Sequence, residues 1–519
     1  MTTPNPRAEA EPEAKAGELV RLEAVELARA IRDRTVSCVE VMAAYLDHIE
    51  RMNPHVNAIV SLQDPELLLR QAEERDRQLA QGQYLGVLHG FPQAIKDLAL
   101  TKGVRTTMGS PIFADFVPDE DELYVHRMKQ HGAIVIGKTN TPEFGLGSQT
   151  YNPVFGTTRN PYDLTRTVGG SSGGAAAALA LRMQAVADGS DFGGSLRNPA
   201  AFNNVFGFRP SFGRVPDGSA VEVFVAQGGS AGPMARTVTD LALLLSVMAG
   251  DDDRFPLALR EDPGVFGGIA GAARLEWNFR GIRLAFTGDW GGYLPMEPGV
   301  LELCRAAFPV LEDLGCVVEE ALPDFPTEQL WPLWLTFRHW LTGGALYPFY
   351  QDPVTRSLMK PEAVFEVEGM LARTALDVWH NSVQRSAWYQ AVRAMFETYE
   401  YLLAPTAQVF PFDAQMTWPR EVNGVRMDTY HRWMEVVTPW TMAGLPVISV
   451  PVGFNAAGLP MGMQLVGRRH ADLAVLQLAF AYEQATQWVQ RRPPRLLTAP
   501  VPFPASAPAT ATGGLAPPP

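Results

Sequence analysis

Cysteine is scarce in this sequence. The 519 residues include only Cys38, Cys304 and Cys316, which cannot all pair with one another and have no metal-like spacing. A disulfide scaffold and a zinc site are therefore excluded as explanations of the fold. The sequence predicts reduced thiols, as is typical of a cytoplasmic protein.

Positive charge is also limited. Lysine and arginine number 43 against 56 aspartates and glutamates, for a formal net charge of −13, and no basic run stands out. This balance argues against nucleic acid as a partner. The first 15 residues lack the apolar core of a secretory signal, and apolar runs such as 241–249 are too short to cross a bilayer. We expect no membrane association, and a monomer or homodimer.

The two ends of the chain are poor in apolar residues. Residues 1–17 and 499–519 are dominated by proline, alanine and other small or charged residues, which predicts disordered tails. No linker or repeat divides residues 18–498, so one domain is expected there. Its short apolar strands alternate with amphipathic helices, which predicts an α/β fold with helices on both faces of a sheet.

Local patterns give the first element boundaries. Ser37 and Glu40 form a capping box before an amphipathic helix. The sequence also predicts helices over 67–79 and 175–183, and strands over 133–137, 184–187, 447–452 and 462–466.

Tryptophan is concentrated in residues 325–440, which hold eight of the eleven in the chain. Two interpretations stay open: aromatic side chains that fill gaps between helices, or an inserted wall of an apolar substrate pocket.

Two glycine-rich serine loops lie close together in the sequence. The first is Gly169-Gly170-Ser171-Ser172-Gly173-Gly174, and the second is Asp191-Phe192-Gly193-Gly194-Ser195-Leu196-Arg197. Glycines let backbone amides approach a bound group, and successive amides at the second loop could stabilise an oxyanion. Asp191 and Arg197 by themselves predict a structural ion pair.

A serine nucleophile needs a base, and the candidate is Lys96 in Ala94-Ile95-Lys96-Asp97. Lysine accepts a proton only when neutral, so burial must lower its pKa. The apolar neighbours favour this, whereas Asp97 opposes it.

These motifs and their spacing resemble the amidase signature family. The matching residues are Gly90-x-Pro92-x-x-x-Lys96-Asp97, the first serine loop 75 residues after Lys96, and Ser195 a further 24 residues on. Further matches extend the resemblance over about residues 20–490. The resemblance implies a single large α/β/α sandwich around a mixed, twisted sheet, and amide hydrolysis with neither cofactor nor metal.

The resemblance also implies residue roles. Ser195 would be the nucleophile, Ser171 the proton shuttle after a cis peptide bond at Gly170, and Lys96 the base. The amides of Phe192, Gly193, Gly194 and Ser195 would form the oxyanion hole, and Ser172 and Ser190 would hydrogen-bond the lysine. Gly145 would lie beside the scissile group, with Gln149 and Thr150 as further candidates for substrate contact.

The resemblance implies a small-molecule amide as substrate, but the sequence does not identify which amide. The aromatic segment favours apolar or aryl amides, as for an aryl acylamidase, and carbamates (urethanes) and esters share the same carbonyl. One alternative is the glutamine-hydrolysing subunit of a transfer-RNA-dependent amidotransferase, and another is a catalytically inactive binding homologue.

A further alternative is an α/β-hydrolase esterase. The run Gly228-Gly229-Ser230-Ala231-Gly232 matches the nucleophile elbow of that class. Ser230 would then need a histidine base, for which the candidates are His339, His380, His431 and His470.

Overall fold

The computed structural model describes residues 17–217, 222–267 and 272–498. The tails that the sequence predicts to be disordered lie outside these ranges, except for Gly17, which begins a helical turn over 17–19. All three cysteines are buried and unpaired. Among the described residues, no helix combines the length and the apolar character needed to span a membrane.

Helices make up most of the regular structure, and several begin as the sequence predicts. Ser37 and Glu40 form the expected capping box at the start of the second helix. In chain order the helices are α1 (Ala24–Arg32), α2 (Cys38–Val56), α3 (Pro65–Ala80), α4 (Leu123–Gln130), α5 (Gly173–Ala180), α6 (Arg197–Asn203), α7 (Val238–Met248), α8 (Ala272–Leu275), α9 (Val300–Arg305), α10 (Phe308–Asp313), α11 (Leu330–Gln351), α12 (Pro353–Leu358), α13 (Pro361–Leu371), α14 (Ala375–Met395), α15 (Thr438–Met442), α16 (Asp472–Thr486) and α17 (Trp488–Arg491).

The strands belong to one large sheet, one small sheet and three short hairpins. In chain order they are β1 (Ile59–Val60), β2 (Pro92–Lys96), β3 (Ile134–Thr139), β4 (Tyr151–Asn152), β5 (Gly156–Thr157), β6 (Arg159–Asn160), β7 (Asp163–Thr167), β8 (Val186–Asp191), β9 (Phe206–Arg209), β10 (Ser230–Ala235), β11 (Arg283–Phe286), β12 (Val317–Glu320), β13 (Tyr401–Pro405), β14 (Glu421–Val422), β15 (Val425–Arg426), β16 (Val447–Phe454) and β17 (Pro460–Gly467).

The large sheet is mixed, as expected, with strand order β12-β11-β13-β17-β16-β9-β10-β8. β11 pairs in parallel with β12 and β13, and the other pairs are antiparallel. The central strands β16 and β17 are buried almost throughout, which is typical of strands covered by helices on both faces. The predicted α/β sandwich is confirmed by this architecture.

Lys96 lies outside the large sheet, at the end of β2 in a small sheet of order β1-β3-β2. Two side chains of the large sheet's edge reach across to β2. Gln184 Oε1 accepts the N–H of Ala94 at 3.1 Å, and the Asp188 carboxylate accepts the N–H of Lys96. β2 is an edge strand of the small sheet, so these backbone N–H groups have no neighbouring strand to pair with. The two side-chain acceptors satisfy them and hold β2 beside β8.

Two strand predictions need correction. The strand predicted to end at Gly137 continues to Thr139, and the glycine is required because a Cβ there would lie 3.0 Å from the backbone of residues 60–62. The strand predicted from Gln184 begins at Val186, where pairing with Ala235 of β10 starts.

The tryptophan-rich segment forms α11 to α15 and the loops between them. Trp331, Trp334, Trp388, Trp433 and Trp440 are buried, which confirms the packing interpretation for these five. Trp379, by contrast, is exposed on α14.

Candidate active site

The Lys96 side chain ends among three serine hydroxyls. It is 1% exposed, and its Nζ lies 2.8 Å from Ser171 Oγ, 2.9 Å from Ser172 Oγ and 3.1 Å from Ser190 Oγ. Burial lowers the pKa of Lys96 from 10.5 to about 7, although the negative charges of Asp188 and Asp191 oppose this. A lysine with such a pKa is a competent base near neutral pH.

The acidic neighbour of this lysine differs from the one expected. Asp97 turns away, since its carboxylate accepts the backbone N–H and the hydroxyl of Thr107. Asp188 takes its place, accepting the N–H of Lys96 at 3.1 Å and the hydroxyl of Tyr124 at 2.8 Å. The opposing charge therefore comes from β8 rather than from the next residue in the chain.

The first serine loop is held through its carbonyl groups. The peptide bond between Gly170 and Ser171 is cis, as the resemblance implies. Ser148 Oγ donates to the carbonyl of Gly170 at 2.6 Å, and Thr150 Oγ1 donates to that of Gly169 at 2.8 Å. These bonds fix the backbone that carries Ser171 beside Lys96.

The predicted substrate-contact residues Gly145, Gln149 and Thr150 lie next to this loop. A Cβ at Gly145 would lie 3.4 Å from Ser171 Oγ, so Gly145 lies beside the first serine loop, and its position next to the scissile group stays a prediction. Thr150 is buried and bound to Gly169, and Gln149 is also buried. Like Ser171 and Ser195, these two residues are not among the described residues that line the cavity beside Lys96, so their contact with substrate stays a prediction.

The second serine loop is organised around the carboxylate of Asp191. It accepts the N–H groups of Gly194 at 2.9 Å and Leu196 at 3.1 Å, and two bonds from the Arg197 guanidinium. The predicted structural ion pair between Asp191 and Arg197 is thus present, and the positive charge of the arginine holds the pKa of Asp191 well below its usual range.

This arrangement changes the predicted oxyanion hole. The amide of Gly194 already donates to the Asp191 carboxylate, so it is not directed at a substrate carbonyl. The amides of Phe192, Gly193 and Ser195 are left as the candidate donors. Ser195 itself is 7% exposed, and its carbonyl accepts the N–H of Ser172, which joins the two serine loops.

A cavity of about 530 Å³ opens at this cluster, next to Lys96, Ser190 and Phe192. Its wall is mostly apolar, and α11 contributes one face of a helix to it. Among the residues that the structure describes, Lys96 is the only cationic side chain in the lining, and tryptophan is absent from it. The larger apolar lining residues include Leu98, Met108, Phe144, Phe192, Phe212, Val215, Phe255, Leu341, Leu346 and Phe349, and Ala345 is among the smaller ones.

The tryptophan-rich segment therefore contributes to the cavity wall through side chains of α11 such as Leu341, Ala345 and Phe349, and not through its tryptophans. Three carboxylates, Glu122, Asp217 and Glu222, also line the cavity. Burial and the neighbouring Asp217 raise the pKa of Glu122 well above its usual range.

Ser230 does not form a nucleophile elbow. It is the first residue of β10, whereas an elbow places the serine on the turn between a strand and the helix that follows it. Ser230 does line the cavity, but no histidine of the described chain lines it with Ser230. The structure contradicts the α/β-hydrolase alternative.

Sequence reasoning missed several supports of the site. Ser148 donates to the first serine loop, Asp188 accepts the N–H of Lys96 in β2, and Tyr124 donates to Asp188, all through buried hydrogen bonds. Ser148 directly precedes the predicted contact residue Gln149, and this position in the sequence could have marked it as a residue of the site. Asp188 and Tyr124 carry no local pattern that distinguishes them from ordinary strand and helix residues.

Comparison with known proteins covers nearly the whole chain. A model of the family described as Amidase matches residues 40–476. A glutamyl-tRNA(Gln) amidotransferase subunit of Moorella thermoacetica is 36% identical over 502 residues, which covers 92% of this chain and 99% of that protein. An acylamidase of Rhodococcus erythropolis is 32% identical over 477 residues, with coverage of 91% and 97%.

A solved structure agrees with these sequence relatives. The crystal structure of a bacterial aryl acylamidase of the amidase signature enzymes family matches with a TM-score of 0.84 and 29% identity. The match covers 92% of this chain and 99% of the other.

Proposed function

This chain belongs to the amidase signature family and hydrolyses amide C–N bonds, and we propose that its substrates are apolar or aryl amides, cleaved through an acyl-enzyme on Ser195. The observation that carries the proposal is the position of Lys96. Its Nζ lies 2.8 Å from Ser171 Oγ, burial lowers its pKa to about 7, and it lines a mostly apolar cavity.

In the first half of the reaction, Ser195 Oγ attacks the carbonyl carbon. Ser171 takes the proton of Ser195 and passes its own to neutral Lys96. The amides of Phe192, Gly193 and Ser195 stabilise the oxyanion. When the tetrahedral intermediate collapses, the C–N bond breaks, and the proton held by Lys96 returns through Ser171 to the leaving nitrogen.

In the second half, water attacks the Ser195 ester with the same relay as base. The carboxylic acid leaves and the serine hydroxyl is restored, so protons balance over the cycle. Ser172 and Ser190 hold the Nζ in place in both halves, because their hydroxyls lie 2.9 and 3.1 Å from it.

The lining of the cavity supports an apolar substrate. Aromatic and aliphatic side chains form most of it, and burying them against an aryl or alkyl group is favourable by about 25 cal/mol per Å². Carbamates and esters offer the same carbonyl to Ser195, so we propose them as further substrates.

A second candidate function follows from the 36% identity to a glutamyl-tRNA(Gln) amidotransferase subunit. That function would require recognition of the charged α-carboxylate of glutamine, for which arginine or lysine is the usual partner. In the described part of the chain, Lys96 is the only cation in the cavity lining, and the proposed mechanism needs it neutral. The Glu222 carboxylate in the lining accepts three backbone N–H groups, which lower its pKa, and its negative charge would repel an anionic substrate; this favours the apolar amidase.

The test is hydrolysis of an anilide, an aryl carbamate, an aryl ester, a fatty amide and glutamine. Ser195→Ala is compared with Ser230→Ala, a matched control because both serines are 7% exposed. We expect anilide turnover to be lost in Ser195→Ala and kept in Ser230→Ala. Retained turnover in Ser195→Ala would overturn the mechanism, and turnover of glutamine alone would favour the amidotransferase function.

A further inference from the structure

The ring of Phe192 is enclosed on several sides, although it belongs to the loop that carries the candidate oxyanion amides. It packs edge-on against Trp334 at 5.3 Å and Phe337 at 5.7 Å between ring centroids. On another side it lies against Gly228, where a Cβ would approach to 2.2 Å. The ring therefore has little freedom to rotate, and its orientation constrains the backbone on either side of it.

The guanidinium of Arg338 lies 5.3 Å from the centroid of this ring. A cation over an aromatic face is attracted by the ring quadrupole, and the attraction is strongest where water is excluded. The Arg338 side chain is only 6% exposed, so this contact is largely shielded from solvent. In the described chain, neither Ser171 nor Ser195 is a hydrogen-bond partner of Arg338, and its other ring contacts, with Trp334 at 5.7 Å and Tyr430 at 5.9 Å, are longer, so Phe192 is its direct contact with the second serine loop.

Arg338 is itself held by a buried network. The Nε of Arg338 donates to Glu366 Oε1 at 2.7 Å, and its Nη2 donates to the hydroxyl of Tyr430 at 2.8 Å. Tyr430 in turn donates to Glu366, whose carboxylate is fully buried and also contacts His339 Nδ1 at 2.8 Å. Burying such an ion pair contributes little to stability on balance, because desolvation offsets the attraction. A role in orientation gives the network a reason to exist.

The next residue of the loop is braced by the same helix. A Cβ at Gly193 would lie 3.2 Å from Met434 Cε and 3.4 Å from Trp334 Cζ2. Trp334 and Arg338 are one turn apart on α11, and the same helix continues into the cavity wall at Leu341 and Ala345. One face of α11 thus supports the Phe192–Gly193 peptide and then shapes the cavity.

We infer that Arg338 is a positioning residue for the oxyanion hole, acting through the Phe192 ring and held in place by Glu366 and Tyr430. The inference rests on the proposed function, since it assigns the orientation of the Phe192 and Gly193 amides to this contact. Orientation matters because oxyanion donors work only when they are aligned with the developing charge before reaction.

The test measures anilide kinetics and the binding of phenylboronic acid, which adds to a serine hydroxyl as a tetrahedral anion. The variants are Arg338→Met and the paired Arg338→Met/Glu366→Gln, which leaves no unpaired buried charge. Arg356→Met is the matched control, because Arg356 lies 3.9 Å over the Tyr350 ring on an exposed part of the neighbouring α12.

We expect kcat to fall about tenfold and boronate affinity to fall by the same factor, with KM changed less than about twofold. Arg356→Met should match the wild type. If Arg338→Met does not fold, the paired variant carries the test. An unchanged kcat, or a loss confined to KM, would overturn the inference.

A double-mutant cycle separates positioning from a general structural effect. Phe192→Leu removes the aromatic face but keeps the backbone amides, so replacing Arg338 in that background should change kcat less than about twofold. Independent, multiplying losses would show that Arg338 does not act through the ring. If Ser195→Ala is inactive while the paired variant is fully active, only this inference fails; if Ser195→Ala is active, the proposed function fails.

Discussion

Replacing Lys96 by methionine should abolish hydrolysis and change how stability depends on pH. Methionine has nearly the same length but cannot titrate. In the folded wild type, burial lowers the pKa of Lys96 from 10.5 to about 7. Between these two values the unfolded chain binds more protons than the folded one, so wild-type stability rises with pH in this window. Below about pH 7 both states are protonated and the contribution is constant.

The magnitude follows from the size of the shift. Each unit of pKa difference corresponds to about 1.4 kcal/mol, so ionised Lys96 disfavours the folded state by about 5 kcal/mol at low pH. The stability of wild type relative to Lys96→Met should therefore improve by about 1.4 kcal/mol per pH unit from pH 7 to 10. The variant also loses the hydrogen bonds from Lys96 to the serines. This loss changes the stability difference by a constant amount and leaves its slope against pH unchanged.

The assay is urea unfolding of both proteins from pH 6 to 10. The difference between their free energies of unfolding is plotted against pH, so that titrating groups common to both proteins cancel. In parallel, kcat/KM of the wild type on an anilide should fall about tenfold per unit below pH 7, because the free enzyme needs neutral Lys96. A flat difference curve between pH 7 and 10 would refute the burial argument. An activity limb far from pH 7 would refute the assignment of Lys96 as base.

Three further changes test other parts of the site. Asp188→Asn removes a negative charge that raises the pKa of Lys96, so the acidic limb of kcat/KM should move to lower pH, and a limb that moves upward would contradict this. Thr150→Val leaves the carbonyl of Gly169 without its donor, so urea unfolding should show a loss of about 1–3 kcal/mol together with a lower kcat; wild-type values for both would contradict the support role. Ala345→Phe should reduce kcat/KM for bulky anilides more than for small ones, and a uniform loss across a size series would place Ala345 away from the substrate.

Local sequence predicts the reacting groups because their chemistry is local. The loops around Ser171 and Ser195 are recognisable because glycines surround the Ser171-Ser172 pair and two glycines precede Ser195, and the structure brings both loops to Lys96. Continuous apolar runs predict the strands β16 and β17, which is how fully buried strands read in sequence.

The hydrogen-bond partners of polar groups are what the sequence does not predict. The amide oxygen of Gln184 accepts the N–H of Ala94 in β2, 90 residues earlier. The acid expected beside Lys96 is Asp97, yet Asp97 accepts from Thr107 and the carboxylate of Asp188 accepts the N–H of Lys96. The family resemblance assigns the amide of Gly194 to the oxyanion hole, yet the carboxylate of Asp191 accepts this N–H.

The sequence by itself determined the family, the α/β class and the residue types of the relay, because glycine and serine spacing and apolar periodicity depend only on neighbours along the chain. Only the tertiary structure decided the acid beside Lys96, the contact of Arg338 with Phe192 and the apolar lining of the cavity. These join residues that are far apart in sequence, and the lowered pKa of Lys96 depends on exclusion of water by the whole surrounding fold.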